Sequence, residues 1–351
     1  MQGVGVVAIG RNEGERFKRC LEALRAQAAG AAVVYVDSGS TDGSVEHARA
    51  CGVEVVALDM SRPFTAARAR NAGFARLAES DPDLEFVQFL DGDCEVAEGW
   101  LSRAAETLRA RPKAALVFGR RREREPERSV YNRLADMEWN IPIGHGEGEE
   151  AVACGGDALV RAEAFRKVGG YDPSVPAGEE PELCRRLRAD GWSVLRLDAD
   201  MTWHDSAMLR FGQWAKRQFR TGYGGLDYST RFGHLGDDPF RSQIRSARFW
   251  GVALPLAVVV GAAAAALILG PIAALGVVLL GLLLPAVQAL RIARRNRGRA
   301  GDARSALAYG VLTVLGKVFQ AAGQALYLRD RRAGRHARLI EYKADAVAVG
   351  P

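Results

Sequence analysis

The first 250 residues alternate short apolar runs with segments in which apolar residues recur at the spacing of a helix. The apolar runs predict strands at residues 3–9, 32–36, 53–58, 85–90 and 114–118. The segments between them predict helices at residues 15–28, 43–51, 65–78 and 99–109. This alternation indicates an α/β fold with a mostly parallel sheet and helices flanking both faces.

A different pattern begins near residue 250, where residues 249–290 contain no charged side chain. One transmembrane helix needs about 20 residues, and Gly270-Pro271 divides the run. We therefore expect a membrane hairpin with two transmembrane helices, at about 250–269 and 272–290. The alternative is a buried helical hairpin of a soluble core, but so long an uncharged run is rare in water.

Basic residues flank this hairpin on both sides, with Arg241, Arg245 and Arg248 before it and a run of arginines in 291–299 after it. The positive-inside rule then places both ends in the cytoplasm. The formal net charge is +6, and its basic excess lies in residues 251–351, beside the apolar runs. The charge therefore indicates an anionic membrane surface and no nucleic acid partner.

Residues 305–328 show an amphipathic helical pattern, with Lys317, Gln320 and Gln324 on the polar face and arginines after it. A third span would export these arginines, so we expect a helix that lies on the cytoplasmic face of the membrane. The predicted domains are an α/β catalytic domain at 1–240 and the membrane hairpin at 241–301. Residues 302–351 form the amphipathic interfacial helix and a basic tail.

Met1 leads directly into an apolar strand, so we expect no secretory signal. The five cysteines lack a paired C-x-x-C spacing. This usage indicates a reducing compartment and predicts no cysteine-based metal site.

Carboxylates follow two of the predicted strands. Asp37 ends the second strand, in VDSGSTDGS, and Asp91 and Asp93 follow the fourth, in DGD. Because ligands of parallel sheets bind beyond the carboxyl ends of the strands, we expect these side chains on one rim. Two interpretations of DGD remain open, a polar turn or a cation site. Asp37 either accepts hydrogen bonds from a nucleotide or caps the next helix, although Thr41 and Asp42 lie closer to that helix.

The pattern G-x-x-x-x-G-K-[ST] is absent, and no G-x-G-x-x-G follows the first strand, so neither a P-loop nor a dinucleotide fingerprint is present.

The downstream motifs add a second acidic group. Pro181 suits the first turn of a helix and places Glu179 and Glu180 at its N-terminus. There the helix dipole favours an ionised carboxylate, which either caps the helix or accepts a proton from a hydroxyl.

Taken together, these motifs resemble those of family 2 glycosyltransferases of the GT-A fold. The resemblance covers roughly residues 4–204 and includes, in order, GRNEG, VDSGSTDGS, ARARNAGF, DGD, CGGD, GGYD and GEEPEL. It implies an inverting enzyme that uses a nucleotide-sugar donor and a divalent cation, Mn²⁺ or Mg²⁺. Membrane-attached bacterial members are the most similar type, and the Ala-, Gly- and Arg-rich composition is compatible with a bacterium.

The resemblance also implies roles for single residues. Asp93 would bind the metal directly, Asp91 would contact ribose or reach the metal through water, and His204 would be a further metal ligand. For His204, a phosphate contact and a purely structural role are the alternatives. The remaining substrate-binding residues implied are Asp37 at the base or ribose, Arg70 with Asn71 in the nucleotide pocket, and Gly156 with Asp157 of CGGD.

The catalytic base of the family lies in an acidic pair, commonly Glu-Asp, where this chain has Glu179-Glu180. We assign Glu180 as the base and Glu179 as the alternative. Glu182 would bind the acceptor, and Arg220 would contact diphosphate or lipid headgroups or form part of a solvated face. The Q-x-x-R-W signature of processive members does not fit here in register, which favours a single addition.

The leading hypothesis is transfer of a sugar, from UDP rather than GDP on family frequency, to a lipid-linked saccharide. The enzyme would act at the cytoplasmic face of the bacterial inner membrane, in polysaccharide or glycolipid synthesis. One alternative transfers the sugar to polyprenyl phosphate itself. The remaining alternatives are a catalytically silent membrane scaffold and a nucleotidyltransferase. The segment GRNEGERFKRC is a poor match for the Gly-rich basic loop that a nucleotidyltransferase normally has after its first strand.

Overall fold

The computed structural model describes residues 1–140, 149–236 and 238–335. The strands are β1 Val4–Gly10, β2 Ala32–Asp37, β3 Glu54–Ala57, β4 Phe86–Asp91, β5 Cys94–Val96, β6 Ala114–Glu123, β7 Glu149–Glu150, β8 Ala158–Arg161 and β9 Ser193–His204. The helices are α1 Gly14–Gln27, α2 Ser44–Ala50, α3 Ala66–Ser80, α4 Trp100–Ala110, α5 Val130–Trp139, α6 Ala162–Lys167, α7 Glu179–Ala189, α8 Phe211–Phe232, α9 Arg241–Arg248, α10 Leu254–Ile268, α11 Pro271–Arg295, α12 Arg297–Ala300 and α13 Ala303–Arg332. The predicted basic tail beyond residue 335 lies outside the described residues.

The strands form one mixed sheet in the order β3-β2-β1-β4-β8-β6-β9-β5, with β7 beside β9. Strands β1 to β4 are parallel, as the strand–helix alternation predicts. Strand β8 runs antiparallel to β4 and β6, and β5 and β7 run antiparallel to β9.

Strand β1 shows why its sequence is apolar at almost every position. Val6 and Ala8 pack in one buried cluster with Phe17 of α1. Val7 and Ile9 pack in a second cluster, with residues of α3, on the opposite face. Because successive side chains of a strand point to opposite faces, helices on both sides bury the whole strand.

Packing divides the chain into two units, residues 1–125 with 138–206, and residues 126–137 with the described part of 207–351. The first unit contains the sheet, and the second contains α8 to α13. The boundary predicted at residue 240 differs from this division, because α8 packs along α13. The hydropathy of the sequence marks the apolar helices of this unit, but it does not show that the amphipathic helix α8 packs along α13.

Among the described residues, three helical segments, all in the second unit, are long and apolar enough to cross a membrane, judged by length and composition. They are Arg241–Ile268, in which a π-helical turn joins α9 to α10, together with α11 and α13. The break between the first two lies at Gly270-Pro271, where the sequence predicts it. Gly270 has a φ of 93°, which glycine adopts without strain, and Pro271 begins α11.

Helix α13 has the predicted amphipathic pattern, but its polar face contacts other helices rather than water. Gln320 Nε2 donates to Gln218 Oε1 on α8 at 2.7 Å, and Arg248 Nε of α9 donates to Gln324 Oε1 at 3.3 Å. Apolar side chains on the opposite face, such as Leu307 and Val311, are exposed. Because the helix also qualifies as a span by length and composition, its position on the membrane surface stays a prediction.

The contact between α8 and α13 predicts the effect of a single methyl group. A Cβ at position 222 would overlap the carbonyl oxygen of Gln320, whereas one at position 212 of the same helix meets no atom within 4 Å. We expect Gly222→Ala to destabilise the protein by about 1–3 kcal/mol, because overpacking outweighs the better helix propensity of alanine. Gly212→Ala is the control, and thermal unfolding in detergent is the measurement. Equal melting temperatures for the two variants would contradict this close packing.

Candidate active site

The predicted rim of carboxylates forms at the carboxyl ends of three neighbouring strands. In the sheet register, Gly10 at the end of β1 pairs with Asp37 of β2, and Ile9 pairs with Asp91 of β4. The two aspartates therefore lie on strands either side of the end of β1. This is the edge at which parallel α/β sheets bind ligands.

The Asp37 carboxylate organises the loop that follows β2. It accepts hydrogen bonds from the backbone N–H groups of Gly39 and Ser40, at 2.9 and 3.0 Å from Oδ2, and from the Tyr35 hydroxyl at 3.1 Å. Asn12, after β1, fastens this loop from the other side by accepting from the Thr41 N–H at 2.7 Å. These bonds shape the loops that would surround a nucleotide, and direct contact of Asp37 with a nucleotide stays a prediction.

A buried arginine, Arg70 on α3, joins three carboxylates at the centre of the first unit. Its Nη1 donates to Glu179 Oε1 at 2.9 Å and to Glu180 Oε1 at 3.1 Å, and its Nη2 donates to Asp91 Oδ1 at 2.9 Å. Only 2% of the Arg70 side chain is exposed. Burial by itself lowers the pKa of this guanidinium, but the Glu180 and Asp91 carboxylates raise the pKa well above its ordinary value.

The neighbouring Asn71 has a structural role. Its Nδ2 donates to the Tyr171 carbonyl at 2.8 Å, and its Oδ1 accepts from the Tyr171 N–H at 2.9 Å. Both ends of the amide therefore hold the GGYD segment against α3. The predicted place of Asn71 in the nucleotide pocket has no support from these contacts.

The two candidate bases stand at the N-terminus of α7, after Gly178 with a φ of 90°. Among the described residues, both hydrogen bonds to the Glu180 carboxylate use Oε1, from Arg70 and from the Gly156 N–H at 3.0 Å. Its side chain is 12% exposed, against 8% for Glu179. Glu180 thus combines a fixed orientation with access from outside, which favours it as the proton acceptor.

Glu182 faces away from this centre. Its carboxylate is buried and accepts from Arg186 Nη2 at 2.6 Å and from Arg185 Nη2 at 3.0 Å. Arg186 in turn donates to the backbone carbonyls of Val168 and Gly170. These contacts give Glu182 a structural role, and its predicted contact with the acceptor stays a prediction.

Arg121, near the end of β6, was not singled out from the sequence. Its Nη2 lies 2.8 Å from Asp157 Oδ2 and 3.3 Å from Asp91 Oδ2, and its guanidinium lies over the Trp139 ring at 5.8 Å. A Cβ at position 156 would overlap this guanidinium, which explains the glycine. The sequence feature that could have identified Arg121 is the basic run RRRER at the C-terminal end of β6.

Asp157 is therefore an anchor rather than an exposed substrate ligand. It is fully buried, and its Oδ1 accepts from the Asp91 N–H at 3.1 Å. Its Oδ2 accepts from the Thr202 hydroxyl at 2.7 Å, in addition to Arg121. Asp157 fixes the backbone at the end of β4 and aims Arg121 at Asp91.

Asp93 and His204 form the second half of the acidic centre. The Asp93 Oδ2 atom lies 3.2 Å from His204 Nε2, and both side chains are at least nine-tenths buried. Burial, and then the Arg121 guanidinium, lower the pKa of His204 to about 4, while Glu123 opposes this shift. The imidazole is therefore neutral near pH 7, which is the form that binds metals.

These two side chains fit a divalent cation. Two ligands about 2.1 Å from one ion lie about 3.0 Å apart at a right angle and about 3.4 Å apart at a tetrahedral angle, and the observed 3.2 Å lies between these values. Asp91 differs, because its oxygens are held by Arg70 and Arg121. Asp93 and His204 are thus the residues that would hold a metal, and Asp91 fits the ribose or water-mediated role predicted for it.

The last predicted site residue, Arg220, belongs to α8 of the second unit. Its role at diphosphate or lipid headgroups stays a prediction. On the same helix, Gln213 Oε1 accepts from the backbone N–H groups of Leu209 and Arg210. Gln213 therefore caps the start of α8, and the single addition inferred from the sequence stays a prediction.

Comparison with known proteins supports the resemblance read from the motifs. Residues 6–169 match the family model "Glycosyl transferase family 2". Glycosyltransferase AglE of Haloferax volcanii is 27% identical over 229 residues, which are 63% of this chain and 72% of AglE. Succinoglycan biosynthesis protein ExoA of Rhizobium meliloti is 27% identical over 211 residues, which are 56% of this chain and 62% of ExoA. The chain thus spans less than two thirds of the length of ExoA.

A solved structure shows the same fold. The mannosyltransferase PcManGT from Pyrobaculum calidifontis, in complex with GDP-Man and Mn²⁺, matches with a TM-score of 0.54 and 21% sequence identity. The match covers 88% of this chain and 86% of that chain. The predicted GT-A fold is confirmed by this likeness, together with the mixed sheet and its flanking helices.

The role of Arg70 gives a prediction for stability. Arg70→Met leaves three carboxylates without their shared cation, and breaking such a buried pair typically costs about 3–5 kcal/mol. The matched control is Arg76→Met on the same helix, because Arg76 pairs with Glu79 at the exposed surface and should change the melting temperature little. Thermal unfolding of both variants is the measurement. A melting temperature of Arg70→Met equal to that of the control would show that Arg70 does not hold the acidic centre together.

Proposed function

Because the chain is a family 2 glycosyltransferase, we propose that it transfers a sugar with inversion from a nucleotide-sugar to a lipid-linked saccharide. The observation that supports this most is the buried acidic centre at the strand ends. There Arg70 joins the candidate base Glu180 to Asp91, and Asp93 lies against His204. A base and a cation site on one sheet edge are what displacement of a nucleoside diphosphate requires.

The donor would bind along the carboxyl ends of β1, β2 and β4. Asp37 and the loops it organises would surround the base and ribose, and Asp91 would face the ribose. A divalent cation held by Asp93 and His204, Mn²⁺ or Mg²⁺, would neutralise the charge that develops on the diphosphate. Arg121, between Asp91 and Asp157, supplies a fixed positive charge at the same edge.

The chain's own residues account for the proton transfer. The Glu180 carboxylate is held through Oε1, so Oε2 would accept the proton of the acceptor hydroxyl as that hydroxyl attacks the anomeric carbon. The sugar–phosphate bond breaks on the opposite side, and the nucleoside diphosphate leaves with its electron pair. One displacement inverts the anomeric centre, and Glu180 is the residue that we propose as its base.

The acceptor is proposed from the helical segments of the second unit. In the described part of the chain three segments are long and apolar enough to cross a membrane, and arginines lie before the first two segments and after them, but not at the break between them. An anchored enzyme suits an acceptor that is itself held in the membrane, and positive flanks favour the cytoplasmic face of the bacterial inner membrane. ExoA, by its name, acts in succinoglycan biosynthesis, which supports a role in polysaccharide or glycolipid synthesis.

The choice between the two glutamates can be tested by kinetics. We expect Glu180→Gln to lower kcat by roughly 10²–10⁴ with little change in the KM for donor, because proton abstraction is lost while the amide oxygen can still accept from Arg70. Glu179→Gln is the matched control and should lower kcat much less. A larger loss of kcat in Glu179→Gln would exchange the two assignments.

Donor and acceptor can be identified together with the full-length protein in membranes. Radiolabelled UDP-, GDP- and TDP-sugars are offered with lipid-linked saccharide or with polyprenyl phosphate, in the presence of Mn²⁺. We expect label from a UDP-sugar on the lipid-linked saccharide, and none with Asp93→Asn. A product with a single sugar directly on the lipid phosphate would overturn the proposed acceptor and favour polyprenyl-phosphate transfer. Transfer from a GDP-sugar would overturn only the expected uracil nucleobase of the donor.

A further inference from the structure

Cys94 lies beside the two residues proposed to hold the metal. It begins β5, and in the antiparallel register with β9 it pairs directly with His204. Its side chain is fully buried, and its Sγ lies 3.7 Å from Asp93 Oδ1. Residues directly opposite in an antiparallel pair present their side chains to the same face, so this register brings the sulfur to the imidazole.

The three side chains form a compact set of potential ligands. Among the described residues, Asp93, Cys94 and His204 are grouped with one ligand atom each within 4.8 Å of the others, and all three are buried. A sulfur and an oxygen bound to one tetrahedral ion at about 2.3 and 2.0 Å lie about 3.5 Å apart, close to the observed 3.7 Å. The sulfur–oxygen spacing therefore suits joint coordination of one ion by Asp93 and Cys94.

A second set, Asp91, Cys94 and Asp157, has the same compactness but already holds a cation. Arg121 Nη2 lies between the two aspartates, 2.8 Å from Asp157 and 3.3 Å from Asp91. A metal there would compete with a fixed guanidinium. In the first set, Cys94 faces the Asp93 carboxylate and the His204 imidazole, which are both metal-binding groups.

We propose that Cys94 is the third protein ligand of the catalytic metal and gives the site a preference for transition-metal ions over Mg²⁺. This inference rests on the proposed function and names the metal class of the same site. Mg²⁺ is bound by oxygen ligands in octahedral geometry, whereas a site with sulfur, nitrogen and oxygen ligands favours ions such as Co²⁺ and Zn²⁺. On binding, the thiol proton leaves to solvent and the thiolate sulfur coordinates the ion.

Sulfur coordination can be seen directly with Co²⁺ as the probe. The full chain in detergent is freed of metal with a chelator and titrated with Co²⁺, in a Cys51→Ser background. That background removes an exposed thiol whose Sγ lies 3.7 Å from His47 Nε2 and which could bind Co²⁺ at the surface. We expect visible ligand-field bands, together with a near-ultraviolet thiolate-to-cobalt charge-transfer band that a large excess of Mg²⁺ does not remove.

Variants assign the band to this site. Cys94→Ser should lose the charge-transfer band and keep the visible bands, and Asp93→Asn should lose both although Cys94 is intact. The control Cys184→Ser, a buried cysteine whose Sγ lies 3.6 Å from that of Cys154, should keep both. Circular dichroism of each variant checks the fold, and Cys94→Ala replaces Cys94→Ser in the comparison if the serine variant does not fold.

The outcomes separate this inference from the proposed function. Visible bands without a charge-transfer band in the parent would overturn the role of Cys94 and leave the metal site of the proposed function intact. A charge-transfer band that persists in Cys94→Ser, or that disappears in Cys184→Ser, would overturn it as well. The absence of all Co²⁺ bands would overturn both this inference and the proposed metal dependence.

Discussion

Carboxylates gathered in a buried site repel one another, and in this protein the guanidinium of Arg70 makes their proximity stable. Its two terminal nitrogens reach three acidic side chains from two elements, β4 and the start of α7. A planar, permanently charged fork suits this bridging, because a lysine would offer one point charge in place of two nitrogens. The relative placement of Asp91 and the Glu179–Glu180 pair therefore depends on a residue that takes no proton itself.

A second arginine divides the acidic centre into two parts with different tasks. The Arg121 guanidinium pairs with Asp157 and with Oδ2 of Asp91, so these two carboxylates already have a positive charge beside them. Asp93 instead faces a neutral imidazole and a sulfur. Although Asp91 and Asp93 are one residue apart, their surroundings make the first suited to hydrogen-bonding a sugar hydroxyl and the second suited to a metal ion.

The sequence predicts the first half of the sheet well, because its central strands β1 and β4 are buried almost throughout and read as apolar runs. The four parallel strands and the helices between them begin and end within a few residues of their predicted limits. The antiparallel insertion of β8 between β4 and β6 was not predicted, since a four-residue strand has no distinctive period. The break of the membrane hairpin was predicted because glycine and proline are local signals.

For the site, the motifs located the acidic residues, but sequence could not show their partners. Arg121 and Cys94 reach the centre through pairings of β6 and β5 with β9, which join distant parts of the chain. Asn71 and Glu182 lie within recognisable motifs, yet their side chains hold the backbone and arginines in place. Spacing along the chain identifies a motif, whereas the direction in which each side chain points depends on tertiary packing.

The pairing of β5 with β9 has a consequence for how the protein acquires its activity. Strand β1 meets β2, and β2 meets β3, through segments that are close in sequence, whereas β5 meets β9 only after nearly the whole α/β unit has been synthesised. A nascent chain that ends before β9 would thus lack the Asp93–His204 pair, and the candidate metal site would be incomplete until that strand is present.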